Sequence, residues 1–236
     1  MSSAWHQLFD SGISAAAFLK HGWVGDPRSD VLISMDQSHS DTVAFVTVDD
    51  GSIKSEDMRL LDGQLICSPM TSLSNFDHAN ASCFSHLAGS WVLASDALIT
   101  TDSSIMISVR TADCLPIFIE GGDYISVIHA GRRGTILGIT ARVCGLLRFF
   151  DVEYIKVWFG PCSCLLCYEI DRDTQTHFDL VAENKAQILR MYEAAQFING
   201  RGHRWCTQCD SSLLYSYRCG DLVDRNVFYF KRFSDN

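Results

Sequence analysis

The chain has 236 residues and lacks the marks of a membrane or secreted protein. Its apolar runs are shorter than the stretch of about 18 residues that a membrane-spanning helix needs. Residues 1–6 show neither the basic start nor the apolar stretch of a signal peptide. Internal repeats and low-complexity tracts are absent, and 47% of the residues are hydrophobic. We therefore expect one globular domain over residues 1–236, located in the cytoplasm.

Positive charge is scarce, because 19 Lys and Arg residues stand against 28 Asp and Glu residues, and the net charge is −9. Such an acidic chain does not offer the broad basic surface of a nucleic-acid-binding protein, so neither nucleic acid nor a membrane is expected as a partner. A small anionic substrate would need a local basic pocket. Arg132 and Arg133 are the clearest candidates, since Gly131 and Gly134 place them at the start of a predicted helix, where backbone N–H groups bind anions.

Several catalytic fingerprints are missing, among them the nucleophile elbow GxSxG, the phosphate-binding P-loop and the dinucleotide fingerprint GxGxxG. The cysteines are numerous instead, 10 in all. Because no export signal is visible, reduced thiols are expected rather than disulfides. The chemistry is therefore sought at cysteine and histidine.

Two strand-like runs each place a cysteine or a histidine in a turn. Alternating apolar residues over 105–109 precede Cys114, and the apolar run 125–128 precedes His129. Side chains at the junction of a buried strand and a loop are often functional. Cysteine and histidine suit zinc or copper, but they also form thiolate–imidazole nucleophile pairs. From the pattern alone a metal site, a thiol hydrolase and a buried structural thiol all stay open.

The hydrophobic pattern mixes strands and helices without strict alternation, which predicts an α+β fold with mixed β-sheets packed against helices. A turn at 121–123 predicts a hairpin. The segment 67–90 lacks periodicity and is interpreted as a long functional loop. Strands are predicted at 43–48, 105–109, 115–119, 124–128, 154–159 and 226–230, and helices at 135–150, with Ile136 in its apolar stripe, and at 177–195.

Short motifs follow one another between Asp96 and Arg218. They read DALIT at 96–100, TADCLPI at 111–117, HAGRRG at 129–134, GPC at 160–162 with YEI at 168–170, DL at 179–180 with Asn184, Gln187 and Leu189, and CT at 206–207 with SYR at 216–218. In this order they closely resemble the multicopper polyphenol oxidase or laccase-domain family, whose members are zinc-dependent purine nucleoside phosphorylases with adenosine deaminase side activity. The resemblance implies a YfiH-like α/β arrangement of packed mixed sheets.

The resemblance also implies a zinc centre with two histidines and one cysteine. Cys114 and His129 match the cysteine and the second histidine of the family, and both would be catalytic. The first histidine belongs to a QVH-like motif that this chain lacks, and loop length favours His78 over His86 for that role. Asp113, beside the cysteine, is a candidate carboxylate for orienting a ligand histidine, with the capping of a turn as the alternative.

The expected function is phosphorolysis of adenosine, inosine or methylthioadenosine to the free base and ribose-1-phosphate, with adenosine deamination as a second activity. Arg132, Arg133 and the backbone near Gly131 and Gly134 would bind phosphate. Arg132 stands where the family has tryptophan, which removes an aromatic wall, although a guanidinium plane can also stack on a base. The alternatives are a Cys–His thiol hydrolase, a polyphenol oxidase with copper, and a catalytically silent zinc-binding protein.

Two CxxC pairs, at 164–167 and 206–209, carry a competing signal, since such pairs are typical of structural zinc sites. The segment 168–205 separates them, which is far longer than the spacing of about 15–20 residues in zinc ribbons. Leu165 and Leu166 inside the first pair are more typical of a buried segment. The spacing therefore argues against a second, structural zinc.

Overall fold

The structure is a computed structural model that describes residues 31–49, 52–70, 91–198 and 205–232 and, as backbone only, the strand segments 6–7, 13–19, 22–24 and 89–90. Its strands are, in chain order, β1 (His6–Gln7), β2 (Ile13–Leu19), β3 (Gly22–Val24), β4 (Val31–Met35), β5 (Val43–Asp49), β6 (Ser52–Leu61), β7 (Gln64–Pro69), β8 (Gly89–Leu93), β9 (Ala97–Thr100), β10 (Ile105–Thr111), β11 (Leu115–Gly121), β12 (Tyr124–Ala130), β13 (Lys156–Phe159), β14 (Glu169–Asp171), β15 (Thr176–His177), β16 (Gln196–Phe197) and β17 (Asn226–Arg232). The α-helices of the described part are α1 (Arg132–Leu137), α2 (Ile139–Phe149) and α3 (Leu180–Leu189).

Two large sheets form the body of the described structure. The first has the strand order β1–β2–β17–β10–β4–β8, with β3 paired to β2, and the second has the order β16–β13–β11–β12–β9–β5–β6–β7. Parallel pairs, such as β10 with β4 and β5 with β9, occur beside antiparallel pairs, so both sheets are mixed. The α+β fold predicted from the sequence is confirmed.

The central strands of the second sheet are buried on both faces, which explains their nearly continuous hydrophobic sequence. Along β11, Leu115, Ile117 and Ile119 pack toward the helices, whereas Phe118 packs between the two sheets. The first sheet, the second sheet and the pair α2–α3 are therefore stacked as three layers around two hydrophobic clusters.

The strands β11 and β12 form the hairpin that the turn residues predict. Gly122 in this turn has φ 57°, in the left-handed region that favours glycine. The register pairs Leu115 with Ala130 and Pro116 with His129. Cys114, which precedes β11, and His129, near the end of β12, therefore lie close together at the open end of the hairpin.

The helices differ from the expected ones in their bounds. The predicted helix over 135–150 is divided at Gly138, whose φ of 84° ends α1 before α2 begins. Because of this break Ile136 is 65% exposed, so its assignment to the inward stripe is wrong. The second predicted helix, over 177–195, is confined to α3, where the Asp179 side chain caps the backbone N–H of Ala182. Within the described residues no helix has the length and apolar character needed to cross a membrane.

Candidate metal centre and cavity

The candidate centre forms where three neighbouring strands of the second sheet meet the loops. Cys114 directly precedes β11, His129 lies near the end of β12, and Asp96 directly precedes β9. The backbone N–H of His129 donates to the carbonyl oxygen of Asp96 at 2.8 Å, continuing the pairing of β12 with β9. Regular sheet pairing thus places a thiol, an imidazole and a carboxylate side by side at the same end of these three strands.

The imidazole of His129 is buried and held in one orientation. Its Nδ1 lies 2.8 Å from Oδ1 of Asp96, and the two residues are 3% and 0% exposed. A carboxylate at one ring nitrogen sets the tautomer and leaves Nε2 free to bind a metal. We predicted this orienting role for Asp113, but in the structure the carboxylate beside His129 belongs to Asp96.

The third donor of the centre is His39, which the sequence reasoning missed. It lies in the connection 36–42 between β4 of the first sheet and β5 of the second, with Nε2 at 3.6 Å from Sγ of Cys114. The φ of His39 is 59°, a strained value for a residue other than glycine. The Asp96 carboxylate offsets this cost, because it accepts the backbone N–H groups of His39 at 3.1 Å and of Ser40 at 2.6 Å.

Gly131 allows the backbone to approach these donors closely. A Cβ at this position would lie 2.7 Å from Cδ2 of His39 and 3.1 Å from Sγ of Cys114. A larger residue would therefore push the imidazole or the thiol aside. Gly131, two residues after His129, thus shapes the centre, and its role in anion binding stays a prediction.

The charge states of Cys114 and His129 depend on their contact with each other. Burial alone would raise the pKa of Cys114, but His129 and, more weakly, His39 lower it to about 6. Burial alone would lower the pKa of His129, but the Cys114 thiolate and Asp96 raise it to about 9. Each charge therefore stabilises the other, which favours a thiolate beside an imidazolium in the metal-free site.

The donors fit a metal ion. One ligand atom each from His39, Cys114 and His129 lie within 4.8 Å of one another. Imidazole and thiolate suit zinc and copper, and three protein ligands leave one position open for water or substrate. Asp96 supplies the carboxylate that commonly supports a ligand histidine. A metal-binding site is therefore consistent with both the ligands and their support.

Asp113 organises the neighbouring loops. Its Oδ1 accepts hydrogen bonds from the hydroxyls of Thr207 and Ser216, both at 2.7 Å, and its Oδ2 accepts the backbone N–H of Arg218 at 2.9 Å. The residue is 3% exposed and has φ 91°, so it stores strain that these three bonds offset. Asp113 thus ties the segment 207–218 to the turn that carries Cys114, which corresponds to the turn-capping alternative.

A cavity of about 590 Å³ opens at the centre. This volume lies within the range of about 300–1,000 Å³ that small-molecule sites occupy. Aromatic side chains contribute to its wall through Tyr168 and Tyr217. Its other lining residues are Asp36, Gln37, His39, Arg110, Thr111, Ala112, Asp113, Cys114, His129, Arg218, Val223 and Arg225.

Arginines give the cavity a basic side although the chain as a whole is acidic. The guanidinium of Arg218 lies 4.4 Å from the ring centroid of Tyr168 and donates to the backbone oxygen of Glu169 at 2.7 Å. Burial lowers the pKa of Arg110, and the positive charge of Arg225 lowers it as well, although the Asp36 carboxylate acts in the opposite direction. An anion bound between the guanidinium groups of Arg110 and Arg225 would relieve the repulsion between them.

The side chains of the arginines selected from the sequence do not line the cavity, although the backbone of Arg132 hydrogen-bonds with Tyr168, which does. Arg132 and Arg133 open α1 and are exposed, and neither is among the described residues that line the cavity. Gly134 packs against the connection 36–42, where a Cβ would lie 3.0 Å from the carbonyl oxygen of Ser40. Phosphate binding by Arg132 and Arg133 therefore stays a prediction.

The two loop histidines, His78 and His86, fall outside the described residues, as does most of the long loop predicted over 67–90. The choice of His78 as the first ligand stays a prediction. Among the described residues the position beside Cys114 is taken by His39.

Residues 21–225 match the model of a family described as multi-copper polyphenol oxidoreductase laccase, so the resemblance seen in the motifs is confirmed. The purine nucleoside phosphorylase of Aquifex aeolicus is 35% identical over 86 residues, which cover 36% of this chain and 42% of that protein. That of Xylella fastidiosa is 29% identical over 146 residues, covering 52% and 55%. Adenosine deaminase RL5, from an unknown prokaryotic organism, is 28% identical over 149 residues, covering 52% and 56%. The chain thus spans about half the length of these curated relatives.

Solved structures support the fold. YlmD from Geobacillus stearothermophilus superposes with a TM-score of 0.64 at 18% identity, covering 99% of this chain and 98% of that one. YfiH from Bacillus licheniformis gives a TM-score of 0.58 at 19% identity, covering 86% and 74%. At such identities the likeness establishes the architecture and leaves the chemistry to the site.

Proposed function

The chain belongs to the family of multi-copper polyphenol oxidoreductase laccases, and we propose that it acts as a zinc-dependent purine nucleoside phosphorylase with adenosine deaminase as a side activity. The observation that carries this proposal is a centre of two imidazoles and one thiolate at a cavity of about 590 Å³ that three arginines also line. The relatives named purine nucleoside phosphorylase and adenosine deaminase support it.

The cavity offers positive charge and an aromatic face for the two substrates of phosphorolysis. Arg110, Arg218 and Arg225 provide the positive charge that a phosphate dianion requires. The exposed ring of Tyr217 offers an apolar face for a purine base, a role that the family's tryptophan cannot fill here. Phosphate and nucleoside would therefore meet next to Cys114 and His129.

In phosphorolysis a phosphate oxygen attacks the anomeric carbon of the ribose while the bond from that carbon to the base nitrogen breaks. The base leaves with the bonding electrons and takes up a proton, and ribose-1-phosphate forms. The arginines hold the attacking phosphate in place, and Asp96 keeps the His129 ring fixed throughout. When bound, zinc would supply Lewis acidity and would lower the pKa of a bound water toward neutrality, which is the chemistry that deamination needs.

The test is turnover by purified, zinc-loaded protein given adenosine or inosine with and without phosphate. We expect phosphate-dependent release of the free base together with ribose-1-phosphate, and inosine from adenosine as the deamination product. Cys114→Ala should abolish both activities, whereas Cys67→Ser, at an exposed thiol in β7, should retain them. A zinc-loaded protein that converts none of these nucleosides would refute the proposal and favour a silent zinc-binding protein.

A thiol hydrolase is the second candidate, and one observation favours it. Cys114, His129 and Asp96 stand in the order nucleophile, base and orienting carboxylate, and the pKa of Cys114 is lowered to about 6. Metal removal separates the two functions. A chelator should abolish a zinc-dependent activity, but it should raise or preserve the activity of a thiolate nucleophile, whose sulfur a metal would block.

A further inference from the structure

Four cysteines from two distant segments form a second cluster. The Sγ atoms of Cys164, Cys167, Cys206 and Cys209 all lie within 4.8 Å of one another. Sγ of Cys167 and Sγ of Cys209 are 3.6 Å apart. Four thiolates at about 2.3 Å from a tetrahedral zinc lie about 3.8 Å from one another, so the cluster needs only small shifts to receive one ion.

The backbone around each CxxC pair is already shaped for such a site. In the first pair the backbone N–H groups of Cys167 and Tyr168 donate to the carbonyl oxygen of Cys164, which closes a turn. In the second pair the backbone N–H of Asp210 donates to the carbonyl oxygen of Cys206 in the same way. Both turns point their two sulfurs to the same side, as the knuckles of zinc sites do.

Backbone N–H groups also point at the buried sulfur of the cluster. The N–H of Cys164 donates to Sγ of Cys206 at 3.3 Å, and the N–H groups of Gln208 and Cys209 contact the same sulfur. Zinc with four thiolates carries two net negative charges, so its sulfurs need hydrogen-bond donors that can stabilise this charge. Cys206 has such donors from both segments.

We propose that Cys164, Cys167, Cys206 and Cys209 bind one zinc ion with a structural role, in addition to any metal at the His39–Cys114–His129 centre. On binding, the four thiols release their protons to solvent and become thiolates, so no oxidant or reductant takes part. A single ion fits the short distances between the sulfurs better than an iron–sulfur cluster, which spreads its cysteines around several metal atoms. The spacing in the sequence argued against this site, but a parallel bridge between Cys162 and Cys206 brings the two segments together.

The position of the cluster indicates what the ion would stabilise. The segment 205–225 contains little regular structure apart from a short 3-10 helix at Tyr217–Cys219. The same segment carries Thr207, which bonds to Asp113, and Tyr217 and Arg218, which line the cavity. Few backbone hydrogen bonds join this segment to the body of the protein. A zinc ion at its first turn would hold this wall of the cavity in place.

The experiment measures metal in a protein whose other centre is disabled. Cys114→Ala protein, purified under reducing conditions, should contain one zinc per chain that remains after dialysis. X-ray absorption at the zinc edge should show four sulfur neighbours at about 2.3 Å. Adding Cys209→Ser should remove the tightly held zinc, whereas adding Cys67→Ser at the exposed thiol of β7 should leave it in place. Because Cys114 is absent throughout, the result does not depend on whether the proposed enzyme function is correct.

Cobalt provides a readout that does not rely on a folded double variant. Titration of metal-free Cys114→Ala protein with Co²⁺ should produce the intense thiolate-to-cobalt absorption of a tetrahedral site, complete at one ion per chain. Without zinc, limited proteolysis should cut within 205–225 faster than in the zinc-loaded protein. The proposal is overturned if Cys114→Ala protein with four reduced thiols binds neither metal, or if mass spectrometry shows these cysteines joined as disulfides in the freshly purified chain.

Discussion

Within the described residues, two clusters of side chains that could bind a metal differ in the structure that holds them and in their donors. The centre of His39, Cys114 and His129 stands at the ends of paired strands, mixes nitrogen with sulfur, and opens into the cavity. The four-cysteine cluster is made by two turns and offers sulfur alone. Three ligands with an open position are typical of catalytic zinc, and four thiolates are typical of structural zinc.

The surroundings of the two clusters also differ in how much backbone pairing they contain. The ends of β9, β11 and β12 are fixed by backbone pairing, so a metal ion there would not be required to hold them together. The segment 205–225 is held mainly by hydrogen bonds within its own turns and lacks sheet pairing over most of its length, so an ion there would add a tie to the rest of the protein. Asp113 joins the two regions, because its backbone precedes Cys114 and its side chain binds Thr207.

Removing one ligand from each cluster should give the largest contrast. Cys114→Ala should lower nucleoside turnover by more than about 100-fold, since even the loss of an outer partner of a metal ligand costs 10–100-fold. Cys206→Ser should leave measurable turnover but lower the thermal midpoint by several degrees, because it removes a stabilising ion. Turnover and thermal unfolding of the two variants check this directly. Equal loss of turnover with equal loss of stability would erase the distinction between the clusters.

Weakening the hydrogen bond that orients His129 should give the next largest effect. Asp96→Asn keeps the size of the side chain but weakens its bond to Nδ1 of His129 and its contacts with the 36–42 connection. We expect zinc affinity at this centre to fall about 10–100-fold. Competition with a fluorescent chelator measures it, and Asp102→Asn, at a turn remote from the centre, serves as the matched control. Unchanged affinity in Asp96→Asn would show that the carboxylate does not support a ligand.

Arginine replacements should produce a smaller effect that distinguishes two anion sites. Arg218→Met should raise the KM for phosphate about 10-fold, since a hydrogen bond to a charged group contributes about 1.5 kcal/mol at the lower end of the usual range. Arg110→Met and Arg225→Met should act in the same direction. Arg132→Met and Arg133→Met test the site inferred from the sequence. If only these two change the phosphate dependence, the anion binds at α1 and not among the arginines of the cavity.

Part of the site could be predicted because local sequence carried it. Cys114 and His129 each adjoin an apolar strand, and the hairpin register that joins them follows from the turn at Gly122. His39 was missed although it shows the same pattern, since it lies in the connection between two apolar strands at 31–35 and 43–49. The family's motif points to a later loop, and the sequence favours Asp113 as the orienting carboxylate because it adjoins the cysteine. Contact across the sheet, from β9 to β12, decided otherwise.

The rest depends on contacts between residues far apart in the chain. Arg110 and Arg225 approach each other because β10 pairs with β17, with Arg110 opposite Val227. The four cysteines meet because of the bridge between Cys162 and Cys206, so the length of the intervening chain was a poor guide. Strand periodicity gave the α+β class and most strands, whereas the break at Gly138 required knowledge of a φ that the pattern does not encode. Which strands pair with one another is decided by tertiary contacts, and a single sequence carries little information about them.

The last prediction concerns the pH at which Cys114 reacts, which leaves the turnover of the metal-loaded protein aside and tests the charge pair of the metal-free centre. Burial opposes the thiolate, but His129 stabilises it more strongly, so the pKa of Cys114 is about 6. Alkylation of Cys114 by iodoacetamide in chelator-treated protein should therefore rise as the pH increases through about 6. In His129→Gln the stabilising charge is lost while burial remains, so the midpoint should move to a pH above the ordinary value for a thiol. Peptide-resolved mass spectrometry measures each rate, and Cys67 is the internal control, because burial and Glu56 raise the pKa of its thiol. A midpoint for Cys114 that coincides with that of Cys67 would show that the Cys114 thiol is not paired with His129. The contrast between the mixed centre and the cysteine cluster would then rest on geometry alone.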